Sequence, residues 1–201
     1  MICQKRNYIF SDFKIKYLVY TSNTYNRFNA SNIESDVNAT KYICGSDQIW
    51  HPGIFDPNWF LNFCSKSKRI AFSVSGLFGV PNEKQDEYRK LIKGIPKISV
   101  RESTSADIIE SLIGKRPQVT IDPTLVIEKG EWSDIVDSKD TRSAYLKNYI
   151  LCYFLGESRK YVNDVKKFAK EVGMKVLIII TKKNDIIKGF KKMYSVNPWD
   201  F

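Results

Sequence analysis

The stretch "KYICGSDQIWHPG", residues 41–53, sets the terms of the fold. Tyr42, Ile43 and Cys44 suit a short buried strand, and they run straight into Gly45-Ser46-Asp47-Gln48. A brief apolar run closed by turn residues is the pattern of a sheet strand. Gly45 permits a tight turn and a close backbone approach. Ser46, Asp47 and Gln48 then place hydrogen-bonding groups just past the strand's carboxyl end, which is where open α/β sheets bind ligands. Trp50 follows as a large packing anchor, and Pro52 as punctuation.

Outward from this stretch, apolar runs alternate with helical patterns. Strands are expected at 16–20, 41–44, 69–74, 97–100, 118–121, 149–154 and 175–181. Several are almost continuously apolar, as in parallel strands covered on both faces. A helix is expected over 83–93, capped by Asn82 with Gln85 three residues on, and stopped by Gly94 and Pro96. Ser103 or Ser105 opens another, with Ile108, Ile109, Leu112 and Ile113 on one face and Gly114 after it. Ser158 opens a third, whose stripe is Val162, Val165, Phe168, Ala169 and Val172, ending at Gly173. The alternation predicts an α/β fold with parallel sheets.

The polar stretch 128–148 breaks this rhythm and is expected to join two units, 1–127 and 149–201. The first unit opens without a strand and glycine-rich phosphate turn, and the second holds only strand, helix, strand and a basic tail. Both ends therefore read as cut. A chain of that kind is expected to self-associate through exposed apolar strand edges, notably around 175–181.

Composition narrows the class. Of 201 residues, 43% are hydrophobic and 13% aromatic, which is core-forming rather than disordered. No run of about 18 apolar residues predicts a membrane helix, and "MICQKRNYIF" lacks the features of a signal peptide, so the cytoplasm is the expected location. Cys44 and Cys152 lie in apolar runs and are expected to be buried small hydrophobes. With His51 as the single histidine, zinc chemistry built on histidine is nearly excluded. The net charge of +10 is spread over "KSKR" at 66–69, "KKFAK" at 166–170, "KKND" at 182–185 and "KGFKK" at 188–192. That is a solvated basic surface without a nucleic-acid motif.

Further polar groups fall at the other strand ends: Ser73 and Ser75-Gly76, Arg101-Glu102, and Asp122-Pro123-Thr124. For Asp47 and Asp122, turn capping is the alternative to a role in binding or catalysis.

In order and spacing, "GSDQIWHP", "WFLNF" (59–63), "KRIAFSVSG" (68–76), "ISVRE" (98–102) and "IDPTLV" (121–126) resemble the polysaccharide pyruvyl transferase family. "WSDI" (132–135), "YILCYFLG" (149–156) and "VNPWDF" (196–201) continue the likeness, which covers nearly everything from about Phe10 onward. The resemblance implies two GT-B-like, Rossmann-type units, the first mostly present and the second truncated. It implies transfer of a pyruvyl group from phosphoenolpyruvate onto two hydroxyls of a glycan or lipid-linked sugar, with no further cofactor, no metal and no nucleic acid. Phosphoenolpyruvate carries a phosphate and a carboxylate, so its site calls for a bidentate cation, and Arg101 is the first choice. Asp47 and Glu102 are candidates for the base or for sugar-hydroxyl recognition, with Gly45, Ser46, Gln48 and Ser75 lining the substrate. Glu102 could equally pair with a lysine or cap the next helix. The sequence departs from the family at His51, where Asn is common, in an absent first strand and turn, and in an absent downstream histidine turn. The alternative is a truncated, non-catalytic binding domain or a decayed gene product of the same family.

Overall fold

The computed structural model describes residues 11, 14–135, 148–154, 158–179 and 191–193. The chain divides into two compact units, Thr21–Glu128 and a second made of Met1–Tyr20 with Lys129–Phe201.

In the first unit a short helix α1 (Ile33–Val37) precedes strand β1 (Tyr42–Cys44). Then come β2 (Arg69–Val74), helix α2 (Gln85–Lys93), β3 (Lys97–Val100), helix α3 (Ser103–Ile113) and β4 (Gln118–Val119). All neighbours pair in parallel, in the order β1-β2-β3-β4. When parallel neighbours follow one another in sequence, all four carboxyl ends lie along one edge. The right-handed crossover rule also brings successive connections to one face.

Burial follows that layout. Cys44, Ala71 and Val100 are buried against the connecting segments, whereas Ile43 and Phe72 are exposed on the opposite face. The expectation of a sheet covered on both faces therefore fails here, and β1 alternates buried, exposed, buried. The core under the buried face is aromatic. Trp50 stacks on Phe60 with ring centroids 4.7 Å apart, and Phe60 meets Tyr88 edge-on at 5.4 Å. Leu77, Ile92 and Ile109 fill in around them.

Strand β2 is irregular in a useful way. Its register with β3 shifts between Ala71 and Val74, and Ser73 lies in the left-handed region at φ 51°. Ser73 is fully buried and donates its N–H to a side chain, Ser99 Oγ, at 2.9 Å. Its hydroxyl donates to the Ile121 carbonyl at 2.6 Å. Such a bulge re-aims the residues that follow it, here Val74 and Ser75.

Helix ends differ in detail from expectation. Asn82 sits inside a 3-10 turn (Asn82–Lys84) leading into α2, so it does not cap, and Gln85 Nε2 donates to its side chain at 3.0 Å. Ser103 does open α3, and Gly114 closes it in the left-handed conformation at φ 72°.

The second unit contains α4 (Lys129–Ile135), β5 (Tyr149–Tyr153), α5 (Val162–Glu171), β6 (Lys175–Ile179) and β7 (Lys191–Met193), with a parallel sheet in the order β5-β6-β7. The stretch read as a polar join thus opens with a helix. Strand β6 is central, paired on both sides, and its Leu177, Ile178 and Ile179 are buried. The expected exposed edge around 175–181 is corrected for residues 175–179; 180 and 181 lie outside the described residues. On α5, Val162 and Ala169 are buried but Phe168 is exposed, as is Val172 just past the helix. The expected strand at 16–20 is also corrected. Residues 14–17 are helical and the Leu18 N–H donates to the Lys14 carbonyl, a local bond that needs no ladder partner. The segments "KKND" and "KGFKK" up to residue 190, "VNPWDF" and Cys3 lie outside the described residues. No described helix is long and apolar enough to cross a membrane.

Packing of this kind predicts a contrast between two isoleucines. Ile92→Ala, in a fully buried position, should cost ~2–5 kcal/mol in urea unfolding. Ile54→Ala, 57% exposed, should stay within about 0.5 kcal/mol. Equal effects would contradict the placement of the core.

Candidate functional site at the carboxyl edge of the first sheet

Each of the four strands of the first sheet delivers at least one polar group to the same edge. The segment after β1 brings Asp47, the end of β2 brings Ser75, the end of β3 brings Arg101 and Glu102, and the segment after β4 brings Asp122. All meet on one guanidinium. Arg101 Nη1 donates to Asp122 Oδ2 at 2.6 Å, Nη2 to Asp47 Oδ1 at 2.8 Å and to Ser75 Oγ at 2.9 Å, and Nε to Glu102 Oε1 at 3.0 Å. The fully buried Ser75 hydroxyl donates onward to Glu102 Oε1 at 2.7 Å. The other Glu102 oxygen lies 3.3 Å from the buried Ser105 Oγ, on the first turn of α3. One cation against three carboxylates leaves the group at net −2.

The partners are held unequally. The Asp122 and Glu102 side chains are 26% and 27% exposed, and Asp47 is 76% exposed. Asp122 is doubly tied, because its Oδ1 accepts from the Thr124 N–H at 2.9 Å and the Thr124 hydroxyl at 2.7 Å. Those bonds and the Arg101 guanidinium hold its carboxyl down at about 2. Hydrogen bonds that Arg101 donates to Asp47, Glu102 and Asp122, in that order of effect, raise it further above its ordinary value. Glu102 also precedes the first residue of α3, where a helix N-terminus favours negative charge.

The turn that carries Asp47 is shaped by two close approaches. A Cβ on Gly45 would lie 2.1 Å from the Phe72 carbonyl oxygen, and one on Gly76 would lie 2.6 Å from the Gln48 Cα. Gly45 and Gly76 sit at φ 154° and 96°, and Gln48 takes the left-handed conformation at φ 48°. Backbone bonds lock the two turns together: Ser75 N–H to the Ser46 carbonyl at 2.9 Å, and Trp50 N–H to the Ser75 carbonyl at 3.2 Å. Trp50 is the anchor expected of it. It is buried, its indole N–H donates to the Trp59 carbonyl at 3.1 Å, and its own carbonyl accepts from the Tyr88 hydroxyl at 3.2 Å. Gly45, Ser46 and Gln48 thus build the turn through backbone, while Asp47 alone of the four sends its side chain to the guanidinium.

His51 caps a 3-10 turn, its Nδ1 accepting from the Gly53 N–H at 3.0 Å, and it stands apart from the guanidinium contacts. Cys44 and Cys152 are buried, with burial pushing the Cys44 thiol up to about 12. Asp122 caps the 3-10 turn that follows it, as the capping alternative expected, and it also accepts from Arg101. Ser105 and Thr124 were not singled out as site residues; the only signal for them is spacing, three residues beyond Glu102 and two beyond Asp122. Among the described residues, no group of three or more His, Cys, Asp or Glu is arranged to hold a metal ion.

The family model for polysaccharide pyruvyl transferase matches residues 3–201, so the chain belongs to that family. No curated protein and no solved structure matches it.

The bonds that Asp122 accepts from Thr124 and from Arg101 should together be visible as a pH-dependent stability. A carboxyl lowered from 3.8 to about 2 contributes stability that is fully present above its unfolded value and lost as pH falls through the folded one. Asp122→Asn keeps a side-chain oxygen for Thr124 but loses the charge. Its urea midpoint should fall below wild type at neutral pH, and the gap should close between about pH 4 and pH 2. A gap independent of pH would mean that the charge on Asp122 contributes nothing.

Proposed function

We propose that this chain carries donor-binding and proton-handling groups of a glycan pyruvyl transferase. The reaction moves pyruvyl from phosphoenolpyruvate onto two hydroxyls of a sugar as a cyclic ketal, in the making of a cell-surface polysaccharide. The observation that carries this reading is the convergence of Asp47, Ser75, Arg101 and Glu102 at the carboxyl edge, where open parallel sheets take their ligands. Two GT-B-like, Rossmann-type units, divided as 1–127, 128–148 and 149–201, a cytoplasmic setting and a glycan or lipid-linked acceptor belong to the same proposal.

The unequal grip on the carboxylates suggests the order of events. Arg101 exchanges its exposed partner, Asp47, for the carboxylate of phosphoenolpyruvate, keeping Glu102 and Asp122 as fixed supports. Bidentate capture of a carboxylate is what a guanidinium fork does best. Asp47, released as a free carboxylate, then takes the proton from an attacking sugar hydroxyl. The methylene carbon of the donor takes a proton from solvent and becomes the methyl group, leaving positive charge on the adjacent carbon, and the proton taken by Asp47 returns to solvent, so the count balances. The first hydroxyl bonds to that carbon. The second hydroxyl then displaces phosphate, and its proton leaves with the phosphate. Gly45, Ser46, Gln48 and Ser75 shape the wall against which the substrates lie, and Glu102, held by Ser75, steadies the guanidinium or a sugar hydroxyl.

A second reading has its own support. Four of the five guanidinium N–H groups are already committed within the protein, which suits a structural tie in a binding domain without catalysis. Calorimetry separates the two. The transfer reading expects phosphoenolpyruvate binding that Arg101→Ala abolishes. It also expects Asp47→Asn to bind as well or up to ~fivefold more tightly, since a competing exposed ion pair is worth under about 1 kcal/mol, yet to release no phosphate with any acceptor. Binding unchanged by Arg101→Ala would remove the proposed role of that residue.

A further inference from the structure

The amino edge of the first sheet, opposite the guanidinium cluster, is entered through lysines. Lys41 stands before β1, Lys66 before β2, Lys93 and Lys97 before and at the start of β3, and Lys115 before β4. The register sets these starts side by side, with Tyr42 level with Arg69, Ile70 with Lys97 and Ser99 with Gln118. From this row of amines and the aliphatic hollow among them we infer a docking surface for an anionic phospholipid bilayer. The inference stands independently of the transfer reading.

The charge of this row is unspent. All five lysines are exposed, and Lys41 donates only to the Ser67 carbonyl, at 2.8 Å. Among the described residues none of the five has a carboxylate within ion-pair distance. The acids that reach this edge are already matched: Glu34 lies 3.2 Å from Lys68, and Asp107 and Glu110 hold Arg116. The carbonyl ends of α2 and α3 point to the same side, but each offsets only about half a charge. The opposite edge, with three carboxylates around Arg101, is net negative. An anionic surface therefore attracts one edge and repels the other, which turns the guanidinium cluster away from it.

Two features favour a bilayer over a nucleic acid. The first is a hollow of about 310 Å³ between the C-terminal ends of α2 and α3, walled by Ile95, Pro96, Ile98 and Ile113 and lined also by Lys93 and Lys115. Amines beside a hydrocarbon wall match a lipid, which joins a phosphate to an acyl chain. The volume lies at the small end of the ~300–1,000 Å³ typical of ligand pockets, enough for part of one chain. The second is the shortage of groups that hold nucleic acids, which are gripped by arginine forks and stacking rings. Arg69 is spent on the Asn62 and Cys64 carbonyls and Arg116 on two carboxylates, while Tyr42, the ring next to Lys41, is buried. Lysines, as compact point charges, act on an anionic leaflet by summed attraction rather than by geometry.

Co-sedimentation of the full chain with vesicles tests the inference. Vesicles of phosphatidylcholine alone should leave the protein in the supernatant. An equal mixture with phosphatidylglycerol should pellet it, and rising salt should release it. Lys93→Gln combined with Lys115→Gln should weaken that partition ~20-fold, from ~fivefold per lysine. Lys167→Gln combined with Lys170→Gln, at exposed positions of α5 in the second unit, removes the same charge and should leave the partition almost unchanged. Equal losses in the two double variants overturn the inference, because net charge alone would then be the cause. Absence of binding to the mixed vesicles overturns it as well. Retention of a uridine oligonucleotide that depends on Lys93 and Lys115, without pelleting on vesicles, also overturns it and assigns the row to nucleic acid.

Discussion

One guanidinium ties together the carboxyl edge of the first sheet. Arg101 is the point at which residues from the ends of four parallel strands meet, and its four hydrogen bonds reach partners up to 54 positions away in sequence. A planar fork with five fixed donors is the side chain able to do this, and lysine could not reproduce the geometry. The tie works only because the sheet runs β1-β2-β3-β4 in parallel, which lines up the carboxyl ends. Topology supplies the neighbours, and Arg101 joins them into one cluster.

Around that tie, packing and backbone geometry do complementary jobs. The bulge at Ser73 turns Ser75 toward Arg101, and the two glycines, Gly45 and Gly76, let the turns after β1 and β2 touch backbone to backbone. Trp50 fastens the same turn to the aromatic core through its ring, its indole N–H and its carbonyl. Net negative charge near one cation would be unfavourable if all three carboxylates were desolvated equally. Asp47 relieves this by standing mostly in solvent.

Much of this was legible in the sequence, for physical reasons. Strands at 41–44, 69–74 and 97–100 announced themselves as apolar runs closed by turn residues, and the polar groups after them fell where such sheets bind ligands. Arg101, Glu102, Asp47 and Ser75 were therefore identifiable individually. That they share one set of hydrogen bonds was not, because pairing across 54 residues depends on strand order, which apolar periodicity does not encode. The run "KYLVY" at 16–20 has the composition of a strand, but β propensity is realised only beside a partner. "KVLIIIT" misled in the other direction: its apolar character marked a central strand rather than an open edge. The uncovered face with Ile43 and Phe72 was hidden because these residues are as apolar as the buried ones they alternate with.

The most direct measurement is a crystal structure of the chain with phosphoenolpyruvate bound. If the account is right, the donor's carboxylate lies on the Arg101 fork in the place of the Asp47 carboxylate, with Glu102 and Asp122 still in contact and Asp47 turned toward the space left for the acceptor. If the donor lies elsewhere while Arg101 stays enclosed by all three carboxylates, the guanidinium is a structural tie, and the exchange at its exposed side does not occur.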